Sequence, residues 1–290
     1  MSKLFDSGTF GCIYYPGIDC SGNILDSMVS KIVNDESAQH EIYISNLIRK
    51  IKQYQDHFLP VEHHCNVTQN LPIKKCKTLQ HHSKFKILYV PFKKSQPNTL
   101  SFNTLYHSLL TSINLLVKHK IVHFDLNQRN IMISDKVYLL DFGLSISMKS
   151  IYKQLTTVFY TYHISYYIWP LEVHLLCYLL NKGPITKSSL IEVCNDFVKH
   201  HIILQKSSPE FAIEYLDNSI LYFSKLLSLS NKEIIHFCIQ SWKTWDNYAA
   251  IIYLFNQGYS LSPFFLKCIH YLPKERPSIA QCLTATSFAL

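Results

Sequence analysis

Two polar loops flanking an apolar hairpin constrain this chain more than any other stretch. The first loop is His123-Phe124-Asp125-Leu126-Asn127-Gln128-Arg129-Asn130, and Asp141-Phe142-Gly143 begins eleven residues after Asn130. Between them lie Ile131–Ile133, a turn at Ser134-Asp135-Lys136 and the apolar run Val137–Leu140, the pattern of a short antiparallel hairpin. A loop–hairpin–loop of this kind can bring two carboxylates and one amide to one point. Carboxylate and amide oxygens suit Mg²⁺, a hard cation that takes oxygen ligands, so Asn130 and Asp141 are candidate metal ligands. Asp125 is then left to orient a hydroxyl. Polar residues that merely cap turns would supply the same residue types; the joint spacing favours the metal-binding alternative.

The rest of the chain sorts into a strand-rich front and a helical back. Residues 1–33 read as strands and turns: Phe10–Tyr15 and Met28–Val33 are β-prone, with breaks at Pro16-Gly17 and Ser21-Gly22-Asn23. Residues 36–53 have helical spacing, residues 58–98 are irregular, and Phe85–Phe92 within them predicts a strand. Residues 102–119 give the clearest helix, with Phe102, Leu105, Tyr106, Leu109, Leu110, Ile113, Leu116 and Val117 on one face and Ser101 as cap. Residues 144–169 have weak periodicity, and 171–290 read as almost wholly helical, with a start at Ser208-Pro209. This predicts an α+β chain of two lobes with a cleft between them.

Composition narrows the class further. With 48% hydrophobic and 17% charged residues among 290, the chain can bury a sizeable core, which excludes a disordered or collagen-like chain. No apolar run reaches the ~20 residues needed to span a bilayer, so no membrane partner is expected. Met1–Thr9 has no apolar signal core, which predicts no secretion. Nine cysteines are scattered with no CxxC pair, a pattern expected of a reducing compartment rather than a disulfide framework. The formal charge of +8 suits nucleotides, nucleic acid or acidic protein segments, or simply a solvated basic surface. There are only seven glycines, so the pair Gly8 and Gly11, three apart, stands out.

His123–Asn130 together with Asp141–Gly143 resembles the catalytic and metal-binding loops of eukaryotic-type protein kinases. Other stretches resemble the family's elements in the family's order. Ser7-Gly8-Thr9-Phe10-Gly11-Cys12-Ile13 is similar to the glycine-rich loop over the ATP phosphates, with Asp6 where the family has its first glycine. Val29-Ser30-Lys31-Ile32 is similar to the strand carrying the phosphate-binding lysine. Glu41 matches the glutamate that holds it, with Glu36 as runner-up. Trp169-Pro170-Leu171-Glu172 resembles the close of the activation segment, and Pro273–Pro277 the late element whose Arg276 would pair with Glu172. Trp245–Ala249 resembles the start of the central helix, whose Asp246 would tie down the catalytic loop. A narrower likeness, in Phe10–Pro16 followed by Cys20 and in the Pro-Leu-Glu close, is to protein kinases of large cytoplasmic DNA viruses.

The resemblance implies a bilobal fold, with a β-rich small lobe over 1–92 and a helical large lobe over 93–290 that includes a helical insertion at about 181–240. It implies transfer of the γ-phosphate of MgATP to serine or threonine of protein substrates, which could be acidic or virion proteins, in the cytoplasm. Lys31 held by Glu41 would orient the phosphates, Asn130 and Asp141 would hold Mg²⁺, and Asp125 would take the acceptor's proton. Backbone groups near Tyr89, Val90 and Phe92 would bind adenine. The chain also departs from the family. Phe124 replaces the arginine before the catalytic aspartate, which makes control by loop phosphorylation unexpected. Asn127 replaces the lysine two residues after that aspartate, and Arg129 could supply the missing charge. Ser45 sits where an apolar residue usually packs, and 74 positions separate Glu172 from Asp246, more than in the family.

Three other functions compete: a non-enzymatic pseudokinase scaffold, a small-molecule kinase of related fold, and a basic nucleic-acid-associated protein. His63, His64, Cys65, Cys76, His81 and His82 could be read as a zinc site, although their spacing is irregular and a polar loop explains them as well. The tyrosines at 160, 162, 166 and 167 are expected to line a substrate groove or pack.

Overall fold

Short runs rich in apolar residues along the front of the chain form an antiparallel sheet in the computed structural model, which describes residues 2–7, 11–67, 76 and 84–287. The strands in chain order are β1 (Lys3–Ser7), β2 (Gly11–Tyr15), β3 (Gly17–Ile18), β4 (Ile24–Leu25), β5 (Met28–Asn34), β6 (Phe58–Leu59), β7 (His63–Asn66), β8 (Phe85–Pro91), β9 (Ile121–Val122), β10 (Ile131–Ile133), β11 (Val137–Leu140) and β12 (Ile146–Ser147). The helices are α1 (Asp35–Ile48), α2 (Phe102–Lys118), α3 (Leu155–Val158), α4 (Leu171–Asn181), α5 (Lys187–His200), α6 (Ile202–Lys206), α7 (Pro209–Phe223), α8 (Asn231–Ile239), α9 (Trp245–Asn256), α10 (Pro263–Leu266) and α11 (Ile279–Ser287). The chain packs as two units, Met1–Asn98 with Arg129–Ser145, and Thr99–Gln128 with Ile146–Leu290. The α+β class is as expected: a β-rich first unit and a helical second.

In the first unit the sheet order is β1-β2-β5-β8-β7, all antiparallel, with Ile13 opposite Lys31 and Lys31 opposite Leu88. Cys12, Tyr14, Ile32, Ile87 and Tyr89 project from one face and are buried with Cys76. Val33 and Leu88 project from the other face, onto Ala38 and Val61. The period of two thus buries both faces. Helix α1 follows β5 without a loop because Asn34 caps it, its side chain accepting the Ser37 N–H at 2.9 Å, with Asp35 and Glu36 in the first turn. The β10–β11 hairpin joins this unit through β6, which runs parallel to β11.

The expectation drawn from the cysteines is corrected here. Cys12 is bonded to Cys76 and Cys20 to Cys65, with Cα separations of 5.9 and 6.3 Å. The partners lie 64 and 45 residues apart, and the fold rather than sequence spacing brings them together. Cys65 and Cys76 therefore have no thiolate to offer a metal, which removes them from the zinc site. His81 and His82 lie outside the described residues. The other five cysteines, Cys177, Cys194, Cys238, Cys268 and Cys282, are buried free thiols.

In the second unit, α2 forms where its apolar stripe predicts, and the Ser101 hydroxyl accepts the Thr104 N–H at 3.2 Å. It packs on α9 and α11. Every residue of α9 from Trp245 to Leu254 is buried, so this helix is the unit's axis. Helix α7 begins at Pro209 behind the Ser208 cap, as the sequence indicates. The long stretch between Glu172 and Asp246 is helical: α5 packs on α4 and α7, and α8 packs on α4. Capping boxes at Thr186/Ser189 and Ser230/Glu233 start α5 and α8. No helix among the described residues is long and apolar enough to cross a membrane.

Candidate functional site

Lys31 stands on the central strand of the first unit, and two acidic residues meet it. Its Nζ donates to Glu41 Oε2 at 2.9 Å and to Asp141 Oδ1 at 2.7 Å. Glu41 lies in the buried face of α1, whereas Glu36 is exposed in the first turn, so Glu41 is the lysine's partner. Lys31 and Glu41 are both buried, and Asp141 is more open. Burial alone would push the Lys31 ammonium down, but the charges and hydrogen bonds of Asp141 and Glu41 hold it above the usual lysine range. Burial pushes Glu41 up against the pull of Lys31.

The β10–β11 hairpin supplies Asp141. Leu140 N–H donates to the Asn130 carbonyl at 3.0 Å, so Asn130 and Asp141 leave the same end of the hairpin side by side. Asp141 has φ +58°, and its Oδ1 also accepts the Gly143 N–H at 3.2 Å. A Cβ on Gly143 would lie 3.2 Å from Asp141 Oδ1 and 3.5 Å from Glu41 Oε2, which would crowd the acidic pair. Phe142 is buried edge-on against Phe58, anchoring the turn. Asn130 and Asp141 fit Mg²⁺ by donor type, two protein oxygens of the hard kind this ion takes.

The glycine-rich stretch is only partly described. Ser7 ends β1, Ile13 lies in β2 opposite Lys31, and Gly8, Thr9 and Phe10 lie outside the described residues. Asp6 turns its carboxylate to the Ser7 N–H at 2.8 Å. Gly11 is required by the sheet itself. A Cβ there would come within 2.2 Å of the Ile32 carbonyl oxygen, a backbone atom that cannot swing aside. Near the expected adenine contacts, Tyr89 carbonyl accepts the Glu62 N–H and Phe92 N–H donates to Ser27 carbonyl, each at 2.9 Å. Those two backbone groups are thus already engaged. Val90 packs beside the α1 face of the sheet, and the Phe92 ring stacks on Tyr15 at 3.9 Å. Ser45 is buried because its hydroxyl accepts the Val61 N–H at 3.1 Å, which satisfies a polar side chain where an apolar one was expected.

In the second unit the loop around Asp125 is fastened from below. Asp246 accepts the His123 N–H at 2.7 Å and the Phe124 N–H at 2.9 Å. Burial raises its carboxyl to about 6, with the two amide bonds pulling the other way. Phe124 has φ +67° and stacks on Trp169, with centroids 4.5 Å apart and planes 22° apart. Trp169 Nε1–H donates to the Phe124 carbonyl at 2.7 Å. The Phe124 ring also meets Phe159 and Trp245. Phe124 thus ties the loop to Trp169 by aromatic packing. Asn127 Nδ2–H donates to Asp125 Oδ1 at 2.6 Å, and the Tyr166 hydroxyl donates to the same oxygen. Arg129 is exposed and belongs by packing to the first unit. No sequence signal separated Tyr166 from the three tyrosines around it.

Glu172 and Arg276, 104 residues apart, form a two-pronged pair at 2.6 and 2.9 Å, both buried. Ser241 donates to Glu172 Oε1 at 2.9 Å, Thr244 Oγ1 accepts from Arg276, and Arg276 Nε–H donates to the His270 carbonyl.

Two buried histidines make the second unit acid-sensitive. His174 has no hydrogen-bond partner of ordinary geometry among the described residues. His201 Nδ1 accepts the Leu204 N–H, while its Nε2 faces the Tyr248 hydroxyl at 2.6 Å. Burial lowers both from 6.5 to about 3. The unfolded chain therefore takes up protons first, and stability falls as pH drops from 6.5 toward 3, by about 1.4 kcal/mol per pH unit per histidine. Asp246, raised in the fold, works the other way below about 6 and offsets part of this. Urea titrations from pH 7 to 4.5 should show the net loss, and His174→Leu should flatten it by one histidine's share.

No family model matches the chain, and no curated protein matches it. Among solved structures it is similar to a crystal structure of the BubR1 kinase domain, at 17% identity and a TM-score of 0.37. That likeness covers 51% of this chain and 47% of the other, so the chain spans about half the length of that domain's chain.

Proposed function

We propose that the chain is a protein kinase that transfers the γ-phosphate of MgATP to serine or threonine hydroxyls. The observation that carries this reading is Lys31 held between Glu41 and Asp141, groups from a strand, a helix and a hairpin end up to 110 residues apart. A buried ammonium fixed in this way is suited to gripping phosphate oxygens, and such positioning supplies most of the catalysis in phosphoryl transfer.

The first unit would supply the nucleotide-binding groups. Lys31 would hold the phosphates, Glu41 would hold Lys31, and Gly11 would let β2 pair closely beside Lys31's strand. Asn130 and Asp141 would hold Mg²⁺, which when bound neutralises charge on the β- and γ-phosphates. The second unit would supply Asp125, which would accept the acceptor's proton, with Asn127 steadying its carboxylate. Arg129 would add positive charge. The Phe124–Trp169 stack supports a loop ordered without phosphorylation. Serine/threonine preference and a cytoplasmic viral setting rest on the sequence resemblance alone. Acidic protein acceptors suit the basic surface.

The nucleotide half of this reading is tested without turnover. ATP with Mg²⁺ should raise the melting temperature of the wild-type chain by several degrees, and ATP with EDTA by much less. Asp141→Asn should erase the metal-dependent part. An equal shift with and without Mg²⁺ in both proteins would remove Asp141 and Asn130 from the metal.

A further inference from the structure

The carboxylate assigned to take the acceptor's proton already has a hydroxyl on it. Tyr166 donates its phenolic hydrogen to Asp125 Oδ1, the same oxygen that Asn127 Nδ2–H reaches at 2.6 Å. A substrate hydroxyl would have to make this bond for Asp125 to receive its proton. We propose that Tyr166 is an acceptor gate: its hydroxyl stands in the acceptor's place on Asp125, and a protein substrate engages Asp125 only by displacing it. The proposal rests on the kinase reading and extends it to how that site selects its acceptor.

The local packing suits a gate with a fixed post and a movable tip. Trp169 is held from three sides: its indole N–H donates to the Phe124 carbonyl, its ring stacks on Phe124, and its backbone N–H donates to the Tyr166 carbonyl at 3.1 Å. Tyr166 meets Trp169 edge-on, with centroids 4.7 Å apart. Its backbone N–H donates to the His163 carbonyl at 3.0 Å, which closes a turn. The backbone and ring base are thus anchored, while the hydroxyl is fixed by Asp125. Burial and the Asp125 charge both hold the phenol well above the usual tyrosine range, so it keeps the proton it donates. Tyr160, half exposed, lies within the influence of the same carboxylate and is the neighbouring surface an acceptor would meet.

Removing only the hydroxyl separates a gate from a brace. Tyr166→Phe keeps the ring on Trp169 and frees Asp125 from one donor. Steady-state transfer to a serine peptide should show an acceptor KM about tenfold lower, the scale of one hydrogen bond to a charged group, with the KM for ATP unchanged. Tyr166→Leu also lacks the hydroxyl and should shift the acceptor KM the same way even where loss of the ring lowers the melting temperature. Transfer appearing in either variant from a silent wild type would support the gate in its strongest form. An unchanged or raised acceptor KM in a variant that still transfers phosphate would overturn the gate and leave the kinase reading standing. No transfer by wild type or either variant would overturn the kinase reading and the gate with it.

Discussion

Lys31→Met should lower phosphoryl transfer by on the order of 10³-fold or more, while the chain stays folded. The size follows from what the ammonium holds. It bonds both Glu41 and Asp141, and removing it leaves Glu41 buried without that counter-charge. Methionine has the length and flexibility to fill the lysine's channel beside Ile13 and Leu88, so the sheet register is kept. Burial then drives Glu41 toward its protonated form, since the pull of Lys31 is gone. Single-turnover transfer from labelled ATP, with circular dichroism as the fold control, checks this. A variant that keeps a tenth or more of the wild-type rate would take Lys31 out of the chemistry.

Glu172→Ala should be the most destabilising single change in the second unit, at about 3–5 kcal/mol. The cost comes from the partner left behind. Arg276 is buried, and its guanidinium would lose both bonds to Glu172 and keep those to Thr244 and His270. Set against the ~5–15 kcal/mol typical of a whole fold, that loss removes a large share of the stability. A double change, Glu172→Leu with Arg276→Met, should recover a large part of it, because the desolvated charge is then absent as well. Urea midpoints of the three variants measure the difference, and equal midpoints for Glu172→Ala and wild type would contradict the buried-pair account.

What the sequence disclosed and what it concealed divide along physical lines. The α2 stripe, the Ser208-Pro209 start and the Val137–Leu140 strand were legible because each is a local pattern of apolar spacing and capping. The choice of Glu41 over Glu36 followed from helix geometry, since the earlier residue falls in the first turn. The disulfides were illegible: nothing in the spacing of Cys12, Cys20, Cys65 and Cys76 shows which of them the tertiary fold juxtaposes. Ser45 looked like a packing flaw because its partner, the Val61 amide, is a backbone group distant in sequence. Phe124 read from the sequence only as the loss of an arginine that would answer to loop phosphorylation. Its stack on Trp169 shows a replacement, and that contact depends on a residue 45 positions away.

The most direct measurement is transfer of labelled γ-phosphate from ATP to a mixed set of acidic and basic proteins in Mg²⁺, with Asp125→Asn alongside. Asp125 is the group assigned to take the acceptor's proton, and asparagine keeps its shape without its basicity. Label on serine or threonine with the wild type, lost with Asp125→Asn, is the predicted result. Equal labelling by both proteins, or none by the wild type while MgATP still raises its melting temperature, would contradict the enzyme and leave a nucleotide-binding scaffold.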